Sequence, residues 1–218
     1  MVIPMYSFLA IPIAYFLGAI PSAFIIGKLM GTDIRSAGDH RVSGIAVYKR
    51  LGIIPFLIVV AMDVGKGVIA VIIARLLVNI PIGDFVGNLT PFPLLIILLT
   101  GIAAVAGHIW SVFIKFRGGL GAAVMYGVLA GMIIPQEIAA MIISLPIYIT
   151  TRKSGIGTVL IVFLTCLILL VQRIITVPDW PPFYFPAPDM SPLIIIYPAI
   201  LFLLQIIRRA QVKMTSDS

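Results

Sequence analysis

Three short segments of this sequence combine charged or titratable side chains with glycine, a combination suited to binding phosphate. Asp63-Val-Gly-Lys66-Gly67 places an acid and a base three residues apart. His108 ends a long apolar run, and Arg117-Gly-Gly-Leu-Gly121 follows it. Glycine exposes backbone N–H groups, while lysine and arginine add charge-assisted donors. These segments make phosphate the first ligand to consider.

Asp63 and Lys66 admit two interpretations. Three residues apart on one helix, their side chains share a face and can neutralise each other as a structural ion pair. Alternatively, the flanking Gly65 and Gly67 hold the lysine ready for a phosphate, because ionisable groups inside a membrane usually face a polar interior or a ligand. The sequence leaves both interpretations open.

His108 and the residues after it allow a similar choice. Beside Trp110, the histidine could be an interfacial polar residue in an aromatic belt, or it could serve as a general base or phosphate ligand. Residues 117–121, called the glycine turn below, lead directly into an apolar helix. The free N–H groups of that helix end and its dipole could receive a phosphate. Neither the Walker nor the Rossmann spacing is present.

Composition identifies the elements that must position these residues. Of the 218 residues, 61% are hydrophobic and only 11% are charged, and the mean hydropathy is +1.18. A water-soluble domain could not bury that much apolar surface, so we predict an all-α integral membrane protein. The single cysteine, Cys166, excludes a disulfide framework. We expect no metal and no cofactor.

The apolar runs predict a single transmembrane domain over residues 1–218, with about seven helices. A hydrocarbon core of about 30 Å needs roughly 20 helical residues. The predicted spans are residues 6–27, 53–78, 93–110, 121–135, 137–149, 156–175 and 192–207. Residues 121–149 could form two short spans broken at Pro135 or one bent hairpin.

The positions of the basic residues predict the orientation. With the amino terminus outside and the carboxyl terminus in the cytoplasm, twelve of the fifteen lysines and arginines fall on the cytoplasmic side. The net charge of +7 is therefore mainly a topology signal. A nucleic-acid partner is excluded, because the chain has no room for a basic soluble face.

The first cytoplasmic loop, residues 27–44, mixes glycine, hydroxyl and cationic side chains. Such a mixture can form an anion-binding surface. A solvated loop that only fixes the topology is the other interpretation, and composition alone favours it.

Taken in order, these segments resemble the PlsY family, bacterial membrane glycerol-3-phosphate acyltransferases that use acyl phosphate as donor. The similarity extends over residues 6–157. The segments that carry it are Gly18-Ala-Ile-Pro-Ser-Ala23, Asp33-Ile-Arg35 with Gly38, Asp63-Val-Gly-Lys-Gly67, Gly107-His-Ile-Trp110, Phe116-Arg-Gly-Gly119 with Gly121, and Thr151-Arg-Lys-Ser154.

The resemblance implies a reaction of phospholipid synthesis at the cytoplasmic face of the cell membrane. An acyl group passes from acyl phosphate to the 1-hydroxyl of glycerol 3-phosphate, giving lysophosphatidic acid. By the same resemblance, His108 and Ser154 are the catalytic residues. The remaining roles are phosphate binding by Arg35, Lys66, Arg117, Gly118, Gly119 and Gly121, and support as ion-pair partners by Asp33 and Asp63. The implied partners are the two substrates and membrane lipids.

Several positions depart from the family pattern. Leu120 stands where the family has a lysine, Gly155 where it has a serine, and the family's His and Asn after the last span have no counterpart. An alternative function is therefore that of a catalytically degenerate member, which binds a phospholipid or phosphorylated ligand or assists another membrane enzyme.

Overall fold

The computed structural model describes residues 4–34, 44–81, 85–151, 154–174 and 190–216, which form helices and no strand. The α-helices are α1 (Ala10–Ala19), α2 (Ser22–Leu29), α3 (Gly44–Leu51), α4 (Ile53–Leu77), α5 (Pro91–Ile109), α6 (Ala122–Thr151), α7 (Ser154–Ile174) and α8 (Pro192–Ser216). Short 3-10 helices cover Met5–Leu9, Val86–Asn88 and Val112–Ile114. Of these α-helices, only α3 lies outside the predicted spans.

Within the described ranges, six helical stretches are long and apolar enough to cross a membrane. They are Met5–Leu29, Ile53–Leu77, Pro91–Ile114, Ala122–Ser144, Gly155–Ile174 and Pro192–Met214. The predicted class, an all-α integral membrane protein, is therefore confirmed. The count of seven spans and the orientation of the termini stay predictions.

The first predicted span, residues 6–27, is interrupted at Ile20 and Pro21. Proline lacks an N–H donor and disfavours helical geometry at the residue before it. Ile20 accordingly leaves the helix with φ −55° and ψ 117°, and α2 begins at Ser22. The interruption exposes backbone carbonyls to side chains of other helices, and it forms one wall of the site.

Helix α6 is also interrupted, at Ile133 (φ −142°, ψ 55°), two residues before the predicted break at Pro135. A straight helix from residue 126 to residue 151 would be about 37 Å long. However, the Tyr126 hydroxyl lies 3.0 Å from the Thr158 hydroxyl, in the first turns of α7. The chain must therefore turn back within α6, as either of the two predicted arrangements requires.

Glycines bring two pairs of helices into backbone contact. A Cβ atom on Gly18 of α1 would overlap backbone atoms of α5, and one on Gly107 of α5 would overlap backbone atoms of α1. Gly67 of α4 and Gly127 of α6 face each other's helices in the same way. Small residues allow such close packing between membrane helices. These contacts hold α1 against α5 and α4 against α6, and α1, α4 and α5 carry most of the site.

Candidate active site

A small cleft, called the site cleft below, lies where the break between α1 and α2 meets α4, α5 and the glycine turn. Its lining comprises residues 19–23, Gly44, Asp63, His108, Ser111, Ile114, Gly118 and Gly119. The space inside is about 10 Å³, enough for roughly one water molecule. The cleft therefore brings together parts of the three segments that the sequence singled out.

Asp63 and Lys66 form a buried ion pair on α4. The Lys66 Nζ atom lies 2.8 Å from Asp63 Oδ1, and both residues are only 5% exposed. Lys66 also donates a hydrogen bond to the carbonyl oxygen of Ile20 at the Pro21 break, which accepts the backbone N–H of Ser22 as well. The lysine thus ties α4 to the break between α1 and α2.

His108 shares the same carboxylate. Its Nδ1 atom lies 3.7 Å from Asp63 Oδ1, which is beyond hydrogen-bond distance but within electrostatic range. The carboxylate favours a proton on Nδ1, and in the neutral ring Nε2 is then a proton acceptor. One buried carboxylate therefore faces both the lysine and the histidine.

The glycine turn has the backbone geometry that a ligand cradle requires. Before it, Lys115 and Phe116 adopt left-handed conformations, and Gly121 has φ +81°. Gly118 lies so close to the carbonyl oxygens of His108 and Ile109 that a Cβ atom would not fit. In the described part of the chain, no backbone hydrogen bond engages the N–H groups of residues 118–120. Such N–H groups at the start of a helix can donate to an anion.

The structure brings some of the predicted site residues together and leaves others apart. Asp63, His108, Gly118 and Gly119 line the site cleft, and Lys66 lies directly behind Asp63. Arg117 is exposed and absent from the lining. Gly121, the last residue of the turn, is buried but absent from the lining, and its carbonyl oxygen accepts the N–H of Met125.

Three further predicted residues are either absent from the cleft lining or outside the described part of the chain. Asp33 is exposed, and its carbonyl oxygen accepts a hydrogen bond of 2.8 Å from Arg50. Arg35 lies outside the described residues. Ser154 is the first residue of α7, and its side chain also lies outside the described part. Their roles stay predictions.

Sequence reasoning missed three residues that contact the site. Ser22 and Ser111 line the cleft, and the Ser111 hydroxyl donates to the carbonyl oxygen of Ala19. Arg208 of α8 donates a 3.2 Å hydrogen bond to the Gly118 carbonyl oxygen. The Ile20-Pro21 sequence was the available signal for the first wall, because a proline inside an apolar run indicates a break. Arg208 contributed only to the topology prediction.

Metal binding has no support in the described ranges, since no group of three or more His, Cys, Asp and Glu side chains there could hold an ion.

Comparison with known proteins identifies the family. The sequence profile described as "Glycerol-3-phosphate acyltransferase" matches residues 8–213. Glycerol-3-phosphate acyltransferase 2 of Moorella thermoacetica is 35% identical over 152 residues, covering 69% of this chain and 71% of the relative. The glycerol-3-phosphate acyltransferase of Shouchella clausii is 33% identical over 159 residues, covering 72% of each chain.

A solved structure has the same fold. It is a crystal structure of PlsY, an integral membrane glycerol 3-phosphate acyltransferase, in its glycerol 3-phosphate form. It superimposes with a TM-score of 0.70 over 94% of this chain and 88% of that chain, at 24% identity. The resemblance seen in the sequence motifs is thus confirmed, and the chain belongs to the glycerol-3-phosphate acyltransferase family.

Proposed function

We propose that this multi-pass membrane protein transfers an acyl group from acyl phosphate to the 1-hydroxyl of glycerol 3-phosphate. The products are lysophosphatidic acid and inorganic phosphate. The observation that carries the proposal is the site cleft, in which the Asp63–Lys66 pair, His108 and the glycine turn meet. Its lining also agrees with the motifs by which the chain resembles its family.

In the reaction, the 1-hydroxyl oxygen attacks the acyl carbonyl carbon, and the bond from that carbon to the phosphate oxygen breaks. The hydroxyl proton leaves to His108 or to the departing phosphate. His108 can accept it because Asp63 favours the tautomer with a free Nε2 lone pair. Ser154 would donate a hydrogen bond to a substrate oxygen.

Negative charge on the substrates and in the transition state must be stabilised. The N–H groups of Gly118 and Gly119 lie at the cleft and can donate to an oxyanion or phosphate oxygen, with Gly121 supplying the bend that follows. Lys66, Arg35 and Arg117 would supply positive charge. Asp63 would hold Lys66 in place, and Asp33 would support the loop that carries Arg35.

The site would face the cytoplasm. Ser111 and the glycine turn belong to the segment that contains Lys115 and Arg117, one of the basic loops predicted to lie inside. Lysine and arginine are enriched in short cytoplasmic loops. The phosphate groups of both substrates would then reach the cleft from the cytoplasmic side.

A second candidate is a member that binds a phosphorylated ligand without turning it over. One observation favours it: the Lys66 ammonium is already engaged by Asp63 and by the Ile20 carbonyl oxygen. A lysine so committed is a weaker phosphate ligand than a lysine without partners, and the loop lysine of the family is Leu120 here.

An assay on the full-length protein in lipid nanodiscs tests the proposal. With palmitoyl phosphate and labelled glycerol 3-phosphate, we expect lysophosphatidic acid and inorganic phosphate in equal amounts. His108→Ala should lower kcat by about 100-fold or more, while an exposed variant such as Asn88→Ala should not change it. Substrate binding without any product would support the second candidate, and neither binding nor product would refute both.

A further inference from the structure

Ser22 is a buried side chain with an unused hydrogen-bonding group at the site cleft. It is the first residue of α2 and is 1% exposed, and it lines the cleft with Asp63 and His108. Within the described part of the chain, its Oγ atom has no hydrogen-bond partner. Ser22 belongs to the motif Gly18-Ala-Ile-Pro-Ser-Ala23, but the sequence analysis assigned it no role.

The hydroxyl groups of the other buried serines in the described part of the chain do have hydrogen-bond partners. The hydroxyl groups of Ser7, Ser111 and Ser144 each donate to a backbone carbonyl oxygen. This is expected, because a hydroxyl that loses water without gaining a protein partner destabilises the folded state. Ser22 lacks this compensation, and it lies where a ligand could provide it.

The groups around Ser22 indicate which chemistry would provide the compensation. Ser22 begins a helix, so the partial positive charge of that helix end lies beside it. Gly118 and Gly119 line the same cleft, and in the described part of the chain their N–H groups have no backbone partner. Asp63, the carboxylate of the lining, is already paired with Lys66. The lining thus includes a hydroxyl and backbone N–H groups that can donate, which suits a ligand with negatively charged acceptor oxygens.

We propose that the Ser22 hydroxyl donates a hydrogen bond to a phosphate oxygen of the bound substrate, which makes Ser22 a substrate-binding residue. This inference rests on the proposed function. The phosphate belongs either to glycerol 3-phosphate or to acyl phosphate, and separate titrations of the two substrates distinguish them.

Ser22→Ala tests the proposal, with Ser111→Ala as the matched control. Without ligand, Ser22→Ala should unfold at the temperature of the wild type or above, because it removes an unpaired buried hydroxyl. Ser111→Ala should unfold at a lower temperature, since it leaves the Ala19 carbonyl oxygen without its partner. In the acyltransferase assay, Ser22→Ala should raise the KM of one phosphate substrate about tenfold.

A binding measurement separates this inference from the proposed function. Inorganic phosphate should raise the unfolding temperature of the wild type and raise that of Ser22→Ala much less. If phosphate stabilises the wild type more than Ser22→Ala but the wild type shows no turnover, Ser22 still binds phosphate and only the proposed reaction fails. The inference is overturned if Ser22→Ala unfolds at a lower temperature, as Ser111→Ala does. It is also overturned if both KM values and the phosphate effect equal those of the wild type.

Discussion

Replacing Lys66 by methionine separates the two interpretations of the buried pair. The substitution leaves Asp63, only 5% exposed, without the ammonium group that lies 2.8 Å away. Removing one member of a buried pair costs about 3–5 kcal/mol, because the remaining charge stays desolvated. We therefore expect Lys66→Met to lower the free energy of unfolding by about that amount, measured by denaturant titration in mild detergent.

The double variant Asp63→Leu/Lys66→Met provides the control. Removing both charges eliminates the unpaired carboxylate, so most of the lost stability should return. A deficit of about 1 kcal/mol should persist, because the Ile20 carbonyl oxygen still lacks the hydrogen bond from Lys66. If Lys66 binds a substrate phosphate, the double variant should be folded yet inactive in the formation of lysophosphatidic acid, and glycerol 3-phosphate should no longer raise its unfolding temperature. The second measurement does not depend on the contact between Asp63 and His108.

Two results would contradict this reasoning. Wild-type stability of Lys66→Met would show that the pair is not desolvated as its burial indicates. A double variant with both stability and turnover restored would show that Lys66 is a structural partner of Asp63 and takes no part in phosphate binding.

Three further predictions concern packing, the glycine turn and orientation. Gly67→Ala should lower the free energy of unfolding by about 1–3 kcal/mol in a denaturant titration, because its Cβ atom would meet the backbone of α6. Gly65→Ala, with no atom near the added Cβ, should leave that free energy unchanged. Equal effects of the two variants would refute the close crossing of α4 and α6. Arg208→Met should lower kcat about 10-fold or more, because it removes the hydrogen bond that holds the glycine turn. Arg208→Lys should retain more activity. An unchanged kcat in both variants would show that Arg208 does not position the turn. A membrane-impermeant maleimide should label Asn88→Cys in intact cells but Lys115→Cys only after lysis; the reverse pattern would invert the orientation.

The helical framework could be predicted from the sequence because long apolar runs are a strong signal. The predicted span 53–78 matches α4, Ile53–Leu77, within one residue. Interruptions were harder to place. Pro135 indicated a break that lies at Ile133, while the break at Pro21 was not predicted, because the apolar run continues through it. Helix α3 was missed because it lies between the predicted spans 6–27 and 53–78, where no helix was predicted.

The candidate site was predictable where residues close in sequence share one helix, as Asp63 and Lys66 do. Contacts between distant segments were not predictable from spacing. Ser22 meets the glycine turn across about 100 residues of chain, and Arg208 reaches Gly118 over 90 residues. Such contacts depend on how the helices pack, and no local pattern specifies them. Arg117 is the opposite case: the sequence predicted it as a phosphate ligand, but it lies outside the cleft lining.

The glycine contacts between α1 and α5 have a consequence for how a substrate reaches the cleft. Because Gly18 and Gly107 join the two backbones, and Lys66 ties α4 to the end of α1, these three walls should move as one rigid body. An entering phosphate must therefore approach from the side of the cleft that these three helices leave open. Gly44 at the start of α3 and the glycine turn both line the cleft outside these three helices. We expect substrate to enter between these two segments, while α1, α4 and α5 hold the Asp63–Lys66 pair in a constant position.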